Sequence, residues 1–570
     1  MAKARKPRAR KKRKKATPQE LEQRNHRSDI RAVFRNAGFE KVIGVSDKEF
    51  TFNGATSDFD DVFVFENLLV FTEYTTTQSS GISGHLKPKK IIYDTILKNK
   101  SDFIEFYENT FPKFEEARDD FFDHDQCEVI ILYCSKNSVN PKYKVLIPNI
   151  FYFDYPVVKY FKSVSDAVKK SSRFELFSFL GLTNDKIGKE SLTTAKPSDN
   201  YKGSVLPHSH SNFSKGYKVV SFYIDPQSLL KRSYVLRKDG WRDEGGLYQR
   251  MISKAKISSI RKYLNSKERV FINNIIVTLP STTKLVDDSL NTVNPDKLTK
   301  TEPVIIQIPN GFNVIGLIDG QHRVFSYHEG GDFDLKIQKL SEKQNLLVTG
   351  IIYPTNVKDI DKTKFEANLF LEINSTQVNT KSDLKQAIGL LLRPFSSESI
   401  AKATINRLNN SSGPLEDKFE RHFYDKGKIK TTSIVSYGLK PIIKLSGIDS
   451  FYSIWNNTNK KDLLKEDDVN LLNDYIDYCS YEINQFLIAV RIKIDNNKWT
   501  TDKDVKGKVL STTAINGFII CLRKIIENGK LGDQKFYESK LSKLNTFDFS
   551  KYKSSQYGQM GRDLYDEFFS

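Results

Sequence analysis

The segment Asn313–Tyr327, NVIGLIDGQHRVFSY, is the most informative stretch of the sequence for the fold. The apolar run Val314–Ile318 predicts a strand, Asp319 and Gly320 predict a tight turn, and the residues after them are typical of a helix start. Gly320 lets the backbone turn sharply and lets an anion approach it, and a helix N-terminus favours negative charge. The pattern alone fits a phosphate-binding turn or a plain hairpin turn in which Asp319 caps a helix.

The side chains of this turn carry the chemistry that a phosphate site needs. The planar guanidinium of Arg323 is suited to phosphate oxygens, and His322 can donate a hydrogen bond or transfer a proton. Asp319 could orient His322, hold a metal or act as a base. The alternative is that Arg323 is a solvated surface group.

The segments on either side predict an α/β (α+β) multidomain protein. Beyond Lys381 the apolar residues recur with a period of 3.6, which predicts a mainly helical C-terminal region. The predicted domains are a disordered tail over 1–27, an α/β domain over 28–195, a second α/β domain over 215–395 and a helical domain over 396–570. The clearest predicted elements are helices over 29–37, 91–111 and 248–264, and strands over 61–65, 68–74, 128–134, 218–223, 271–279, 304–308 and 346–353.

Composition excludes several classes of protein. Of the 570 residues, 38% are hydrophobic and 28% are charged, so the chain can bury a core and is not globally disordered. No apolar run reaches the ~18 residues of a membrane span, and no apolar stretch follows the basic N-terminus as a secretory signal requires. The four cysteines form no CxxC pair, which argues against a disulfide framework or a cysteine-ligated zinc and favours the cytoplasm.

The positive charge is concentrated at the N-terminus. The net charge is +19, and Met1–Lys15 (MAKARKPRARKKRKK) holds ten basic and no acidic residues. Such a run cannot fold alone, but it can lie along a polyanion and release counterions. We expect it to contact nucleic acid, DNA rather than RNA, although charge alone does not separate the two. The alternatives are a solubilising tail or, in a eukaryotic host, a nuclear import signal.

The string Asp319–Arg323 resembles the signature of the DGQHR-domain family, which includes the regulator associated with bacterial DNA phosphorothioation and belongs to the wider ParB/sulfiredoxin-like fold. The resemblance extends to Tyr248–Arg250 before a helix and to Phe370–Gln377 (FLEINSTQ), and covers about 215–395. It implies a site for ATP or another nucleoside triphosphate, with or without hydrolysis. The residues implied to contact the nucleotide are Gly320, Gln321, His322, Arg323, Gln249 and Arg250, with Glu372 and Asn374 closing the pocket or holding Mg²⁺; Asp319 and His322 are the implied catalytic residues.

A second resemblance lies nearer the N-terminus. A helix followed by Asp60–Val64 and Leu69–Thr75 is similar to the core of PD-(D/E)xK nucleases, in which an Asp and a Glu hold Mg²⁺ and a Lys two residues after the Glu activates water. Asp61 and Glu73 match the acidic pair as metal ligands and catalytic residues, but Thr75 occupies the lysine position. The candidates to replace that lysine are Lys87, Lys89, Lys90 and His85. The alternative is an acidic pair that merely ends two strands.

These features together predict a DNA-associated protein of a bacterial DNA-modification, restriction or phage-defence system. It would be cytoplasmic and nucleoid-associated, would bind a nucleoside triphosphate with or without hydrolysing it, and would carry a nuclease-like domain with or without Mg²⁺-dependent cleavage. Its further partners would be a second copy of itself or other proteins of the system. The alternative from another class is a non-catalytic DNA-binding transcriptional regulator whose DGQHR pocket senses a ligand.

Overall fold

A computed structural model describes residues 16–189, 198–238, 240–242, 249–377 and 382–570. The protein is a mixed α/β multidomain chain with open sheets and helical regions, as predicted. It divides into two compact units, one comprising Met1–Val235 and Met251–Asn356 and the other Leu236–Arg250 and Val357–Ser570. These bounds differ from the predicted domains, because the three described sheets all belong to the first unit, while the second unit combines Leu236–Arg250 with Val357–Ser570. The basic run Met1–Lys15 lies outside the described residues.

The first sheet of the first unit is formed, within the described residues, by five strands in the order β1-β4-β5-β6-β7. β1 pairs antiparallel with β4 and β4 with β5, whereas β6 runs parallel to β5 and β7 parallel to β6. A separate hairpin joins β2 and β3. The strands are β1 (Glu40–Lys41), β2 (Phe50–Phe52), β3 (Ala55–Ser57), β4 (Asp61–Phe65), β5 (Leu68–Thr75), β6 (Glu128–Ser135) and β7 (Phe151–Tyr152).

Helices cover this sheet, and the crossover between the parallel strands β5 and β6 is helical, as parallel pairing requires. Without the separate β2–β3 hairpin, the order of elements along the chain is α-β-β-β-α-β. These elements are α1, the antiparallel strands β1, β4 and β5, the helices of the crossover, and the parallel strand β6. The helices are α1 (Pro18–Ala37), α2 (Ile82–Lys98), α3 (Lys100–Thr110), α4 (Pro112–Ala117), α5 (Pro141–Leu146), α6 (Tyr155–Val168) and α7 (Arg173–Phe179).

Helix α1 begins at Pro18 rather than near Asp29, so residues 18–27 are not part of a disordered tail. The Thr17 side chain accepts a hydrogen bond from the backbone N–H of Glu20, and the Glu20 carboxylate accepts one from the Thr17 N–H. This capping box satisfies two N–H groups that a helix start leaves open. Between Pro18 and Asp29 the only large aliphatic residue is Leu21, which is why the apolar periodicity is visible only from Ile30 onward.

The second sheet contains the DGQHR strand. Its described strands follow the order β10-β14-β11-β15-β9-β8-β13-β12, and β14 lies between β10 and β11. Strand β8 was not predicted, because its sequence SDNYKGSV is polar; it is held by antiparallel pairing with β13 and β9. The strands are β8 (Ser198–Val205), β9 (Lys218–Ile224), β10 (Ser233–Tyr234), β11 (Ile275–Leu279), β12 (Lys284–Val286), β13 (Glu302–Pro309), β14 (Ile315–Asp319) and β15 (Leu346–Ile352).

The remaining helices of the first unit are short, apart from α10. Helix α10 begins at Lys254, capped by Ser253, so the predicted helix start at Tyr248 is wrong. These helices are α8 (His208–Ser211), α9 (Pro226–Arg232), α10 (Lys254–Lys267), α11 (Gln321–Phe325) and α12 (Asp334–Lys343).

The second unit is helical over most of its length, which confirms the predicted C-terminal periodicity. Its core is built on α18 and α19, whose buried faces include Tyr475, Phe486 and Phe518. Among the described residues, no helix is long and apolar enough to cross a bilayer. The helices are α13 (Asp359–Gln377), α14 (Ser382–Leu392), α15 (Ser397–Asn410), α16 (Lys440–Ile443), α17 (Phe451–Ile454), α18 (Val469–Ile492), α19 (Thr512–Glu527), α20 (Gln534–Lys540) and α21 (Tyr557–Phe568).

Candidate functional site

Glu73 is a buried carboxylate near the C-terminal end of β5. This strand lies between β4 and β6, in the middle of the first sheet, and Glu73 is only 4% exposed. A carboxylate at such a position needs a partner, because burial strongly disfavours an unpaired charge.

Three side chains surround the Glu73 carboxylate, and all three come from α2. The Nζ atom of Lys89 lies 2.6 Å from Glu73 Oε2, the Nε2 atom of His85 lies 3.6 Å from Oε1, and the hydroxyl of Tyr93 lies 3.5 Å from Oε2. Lys89 also reaches Asp58 Oδ1 at 3.1 Å. Thr75 stands where the nuclease pattern has a lysine. Of the three lysines proposed to replace it, Lys89 is the one that contacts Glu73.

The charged form of Glu73 is destabilised in this site. Burial raises the pKa of Glu73 to about 7; Lys89 opposes this rise, and the nearby charges of Asp60 and Asp58 add to it. Burial acts to lower the pKa of Lys89, but the carboxylates of Glu73 and Asp58 outweigh it, so that its pKa is raised and the ammonium stays charged. Burial followed by the charge of Lys89 lowers the pKa of His85, which is therefore neutral at pH 7.

Asp61 does not share the site of Glu73, contrary to the predicted acidic pair. It is paired across the ladder with Thr72, and directly opposed residues point to one face while the next residue along the strand points to the other. Glu73 therefore faces α2, whereas Asp61 faces α1. The Asp61 carboxylate, which is fully buried, is bound by Arg31 (2.6 Å), Lys41 (2.6 Å), Ser46 (2.8 Å) and the Tyr74 hydroxyl (2.9 Å).

These bonds give Asp61 a structural role. Burial acts to raise its pKa, but the hydrogen bonds from Arg31, Lys41 and Ser46 outweigh it and the pKa is lowered. Two cations and two hydroxyls occupy its oxygens, so a metal would have to displace them.

Asp60 is the carboxylate that sequence reasoning missed. It accepts a hydrogen bond from the backbone N–H of Tyr74 at 2.7 Å and forms an ion pair with Arg27. Burial raises the pKa of Asp60 to about 6, the Tyr74 N–H and Arg27 opposing the rise. The charges of Asp60 and Asp58 both act on Glu73 and raise its pKa, whereas Asp61 is not among the groups that do so. The dipeptide Asp60-Asp61 was visible in the sequence, but the strand register decides which of the two lies near Glu73.

The donor set fits a hard divalent cation held by few protein ligands. No group of three His, Cys, Asp or Glu side chains in the described part of the chain converges as a metal cage would. Mg²⁺, however, commonly takes only one or two carboxylates and completes its shell with water and substrate phosphate oxygens. Glu73 carries a charge that burial and two neighbouring carboxylates destabilise, and a cation beside it would relieve that cost. Glu73 and Asp60 are the residues that would hold it, and the cation would have to displace Lys89 and Arg27 from their oxygens.

An open cavity of about 450 Å³ lies beside this site, between α1 and the residues that end β5. Its wall shares His85 with the surroundings of Glu73. The described lining residues include no Asp or Glu and are Gln23, Arg24, His26, Arg27, Tyr74, Thr75, Thr76, Thr77 and His85.

The DGQHR turn has the predicted strand, turn and helix, but its side chains are engaged within the protein. Gly320 has φ +99°, and an added Cβ would lie 2.5 Å from the side chain of Ile275. The guanidinium of Arg323 donates to Asp319 Oδ2 at 2.8 Å and to the carbonyl of Asn273 at 2.9 Å. His322 Nε2 accepts a hydrogen bond from the Ser253 N–H at 3.1 Å. Residue 320 therefore has to be glycine, and Arg323 is paired with Asp319 within the turn; the nucleotide contacts of this turn stay a prediction.

The four remaining predicted nucleotide contacts belong to the second unit. Gln249 is buried and forms a bridge with Arg237, while Arg250 is exposed and outside regular structure. Glu372 is exposed on α13, and the Asn374 side chain donates to the Phe370 carbonyl of the same helix at 2.9 Å. Gln321 is half-buried in the first unit.

Comparison of the chain with protein-family models, with curated proteins and with solved structures gave no match.

Proposed function

We propose that this protein is a DNA-directed, Mg²⁺-dependent phosphodiesterase whose site lies around Glu73, and that it works in a bacterial DNA-modification, restriction or phage-defence system. The observation that carries the proposal is the contact between Lys89 and Glu73 in an α-β-β-β-α-β arrangement. It supplies, from α2, the lysine that a nuclease of the PD-(D/E)xK type needs and that the sequence lacks at Thr75. The setting in DNA metabolism rests on the DGQHR resemblance and on the basic run before α1.

The residues have separate tasks in this proposal. Glu73 and Asp60 hold the cation, and bound Mg²⁺ supplies Lewis-acid polarisation of a phosphate oxygen and of a water molecule. Lys89 keeps a positive charge beside Glu73, where it stabilises the negative charge that develops on the phosphate. His85 is neutral at pH 7, because burial and Lys89 lower its pKa, and it can accept a proton from the attacking water.

The test is cleavage of plasmid and linear DNA with Mg²⁺ by the full-length protein and by Lys89→Met. Lys90→Met is the matched control, since Lys90 lies next to Lys89 in α2 but pairs with Asp94 at 2.5 Å. Removal of one electrostatic contact to a transition state costs roughly 10²–10³ in rate, so Lys89→Met should lose about that factor and Lys90→Met should match the parent. Equal activity of the two variants, or a parent that cleaves no DNA with Mg²⁺, would contradict the proposal.

The second candidate is a non-catalytic DNA-binding regulator. The observation that favours it is the closed ion pair between Glu73 and Lys89, in which each charge is already partnered. In that case DNA binding would be equal in the parent, Lys89→Met and Lys90→Met, and no product would form. A nucleoside triphosphate at the DGQHR turn stays a prediction from the resemblance, since Asp319 already binds Arg323.

A further inference from the structure

The lysine that binds Glu73 also has a second carboxylate in contact. The Nζ atom of Lys89 lies 2.6 Å from Glu73 Oε2 and 3.1 Å from Asp58 Oδ1. Lys89 is therefore shared between a buried carboxylate and one whose side chain is 44% exposed. An exposed carboxylate is well solvated, so its ion pair with a lysine forms and breaks at little cost in free energy.

Arg27 has the same arrangement at Asp60. Its guanidinium forms an ion pair with Asp60 and lies 3.2 Å from Asp47 Oδ2. The side chain of Asp60 is 13% exposed, whereas that of Asp47 is 55% exposed. Glu73 and Asp60 are thus inner carboxylates, each of which shares its basic partner with an outer aspartate, Asp58 or Asp47.

The charges of these six groups match one divalent cation. When all are ionised, the four carboxylates carry four negative charges, and the ammonium and the guanidinium balance two of them. The two negative charges that remain equal the charge that Mg²⁺ supplies. A cation bound at the inner carboxylates would repel both basic side chains, because like charges a few Å apart repel strongly in a partly buried site. Each basic side chain already contacts an outer aspartate that can hold it.

We propose that Lys89 and Arg27 are exchangeable cations: they neutralise the inner carboxylates in the metal-free protein, and the outer aspartates take them over when a divalent cation binds. The exchange keeps the buried carboxylates compensated in both states, as buried charges require. It also leaves Lys89 beside the site, where its charge acts on the phosphate. The position of the cation comes from the proposed function, on which the exchange therefore rests, whereas cleavage is not needed for it.

The test measures cation binding without DNA. Mn²⁺ takes the same hard oxygen ligands as Mg²⁺, and the EPR signal of the free ion reports how much of it the full-length protein binds near pH 8. The variants are Lys89→Met, Asp58→Asn and the double variant of these two. The matched control is Asp94→Asn, since Asp94 is a carboxylate of α2 that pairs with Lys90.

The two partners of the exchange should act in opposite directions. Lys89→Met removes the group that competes with the cation and should tighten Mn²⁺ binding about tenfold, which corresponds to ~1.4 kcal/mol. Asp58→Asn leaves Lys89 with Glu73 alone. It should weaken binding about fivefold in the parent and less than about twofold in the Lys89→Met background, because the two residues act as a coupled pair. Asp94→Asn should stay within about twofold of the parent.

The coupling between the two substitutions is the decisive readout. An aspartate that attracts the cation only through its charge would give the same loss in both backgrounds. Equal losses, or weaker Mn²⁺ binding by Lys89→Met, would therefore overturn the exchange. If Lys89→Met does not fold, Arg27→Gln and Asp47→Asn provide the same cycle on more exposed side chains, and the same outcomes decide it.

The outcomes also separate the exchange from the proposed function. A protein that shows this coupling in Mn²⁺ binding but cleaves no DNA would support the exchange and contradict the nuclease. A protein that cleaves DNA with Mg²⁺ while Lys89→Met binds Mn²⁺ more weakly than the parent would overturn the exchange and leave the nuclease standing. A parent that binds no Mn²⁺ would overturn the exchange as well.

Discussion

Replacement of Glu73 by glutamine should stabilise the protein above neutral pH. Burial raises the pKa of Glu73 from 4.5 to about 7, so the folded state binds this proton more tightly than the unfolded state does. The contribution to stability is therefore fully present below pH 4.5 and is lost as the pH rises through about 7. Glutamine is nearly isosteric and has no charge to bury.

The size of the effect follows from the shift in pKa. Each unit corresponds to about 1.4 kcal/mol, so ionised Glu73 costs the fold about 3 kcal/mol above pH 7. In Glu73→Gln this cost is absent, and Lys89 keeps its ion pair with Asp58 at 3.1 Å. The free energies of unfolding of the parent and the variant should thus coincide near pH 4.5 and separate by about 3 kcal/mol near pH 8.

The assay is thermal unfolding of both proteins across this pH range, with and without Mg²⁺. We expect the Tm of Glu73→Gln to exceed that of the parent by several degrees near pH 8, and Mg²⁺ to raise the Tm of the parent alone, because a cation that binds only the folded state stabilises it. Parallel Tm curves, or a variant that is less stable near pH 8, would refute the reasoning and identify Glu73 and Lys89 as a net stabilising ion pair.

Two further substitutions test the structural assignments. Asp61→Asn should cost about 2–3 kcal/mol, less than the 3–5 kcal/mol of a fully buried pair, because Arg31 and Lys41 are 35% and 34% exposed; denaturant unfolding checks this, and an unchanged affinity for Mg²⁺ is expected alongside it. Gly320→Ala should cost about 2–4 kcal/mol from φ +99° and the overlap with Ile275. The control Gly54→Ala has φ +80° and open space around it, so it should lose only the smaller conformational part; equal losses would refute the packing argument.

The sequence predicted the strands of the site more accurately than its helices. Strand β4 has the predicted bounds Asp61–Phe65, and β5 extends the predicted run by Thr75, because a short run of β-branched and aromatic residues shows a strand locally. Helix α2 was predicted from Ile91, but it begins at Ile82. Gly84 and Pro88 lie in the missed part and obscure the helical pattern, and this part carries His85 and Lys89.

The choice between neighbouring acidic residues could not be made from the sequence. Whether Asp60 or Asp61 lies near Glu73 depends on the pairing of Asp61 with Thr72, and a register shift of one residue would exchange their faces. The DGQHR turn shows the same dependence on distant contacts. Its strand and Gly320 were predicted, but the cover that Ile275 provides comes from another strand, β11.

The position of Lys89 shows why a fixed motif spacing is not needed for this chemistry. Helix α2 follows β5 after a short connection and packs on the face of the sheet toward which Glu73 points, so a lysine on that helix reaches the same carboxylate as one on the strand would. The opposite face of the sheet carries a different set of contacts. There Asp61 binds Arg31 of α1 and Lys41 of β1, and Arg24 and His26, nearer the start of α1, lie beside the end of β5. Asp61 thus binds Arg31 of α1, while Asp60 binds Arg27 of the same helix and its charge also acts on Glu73.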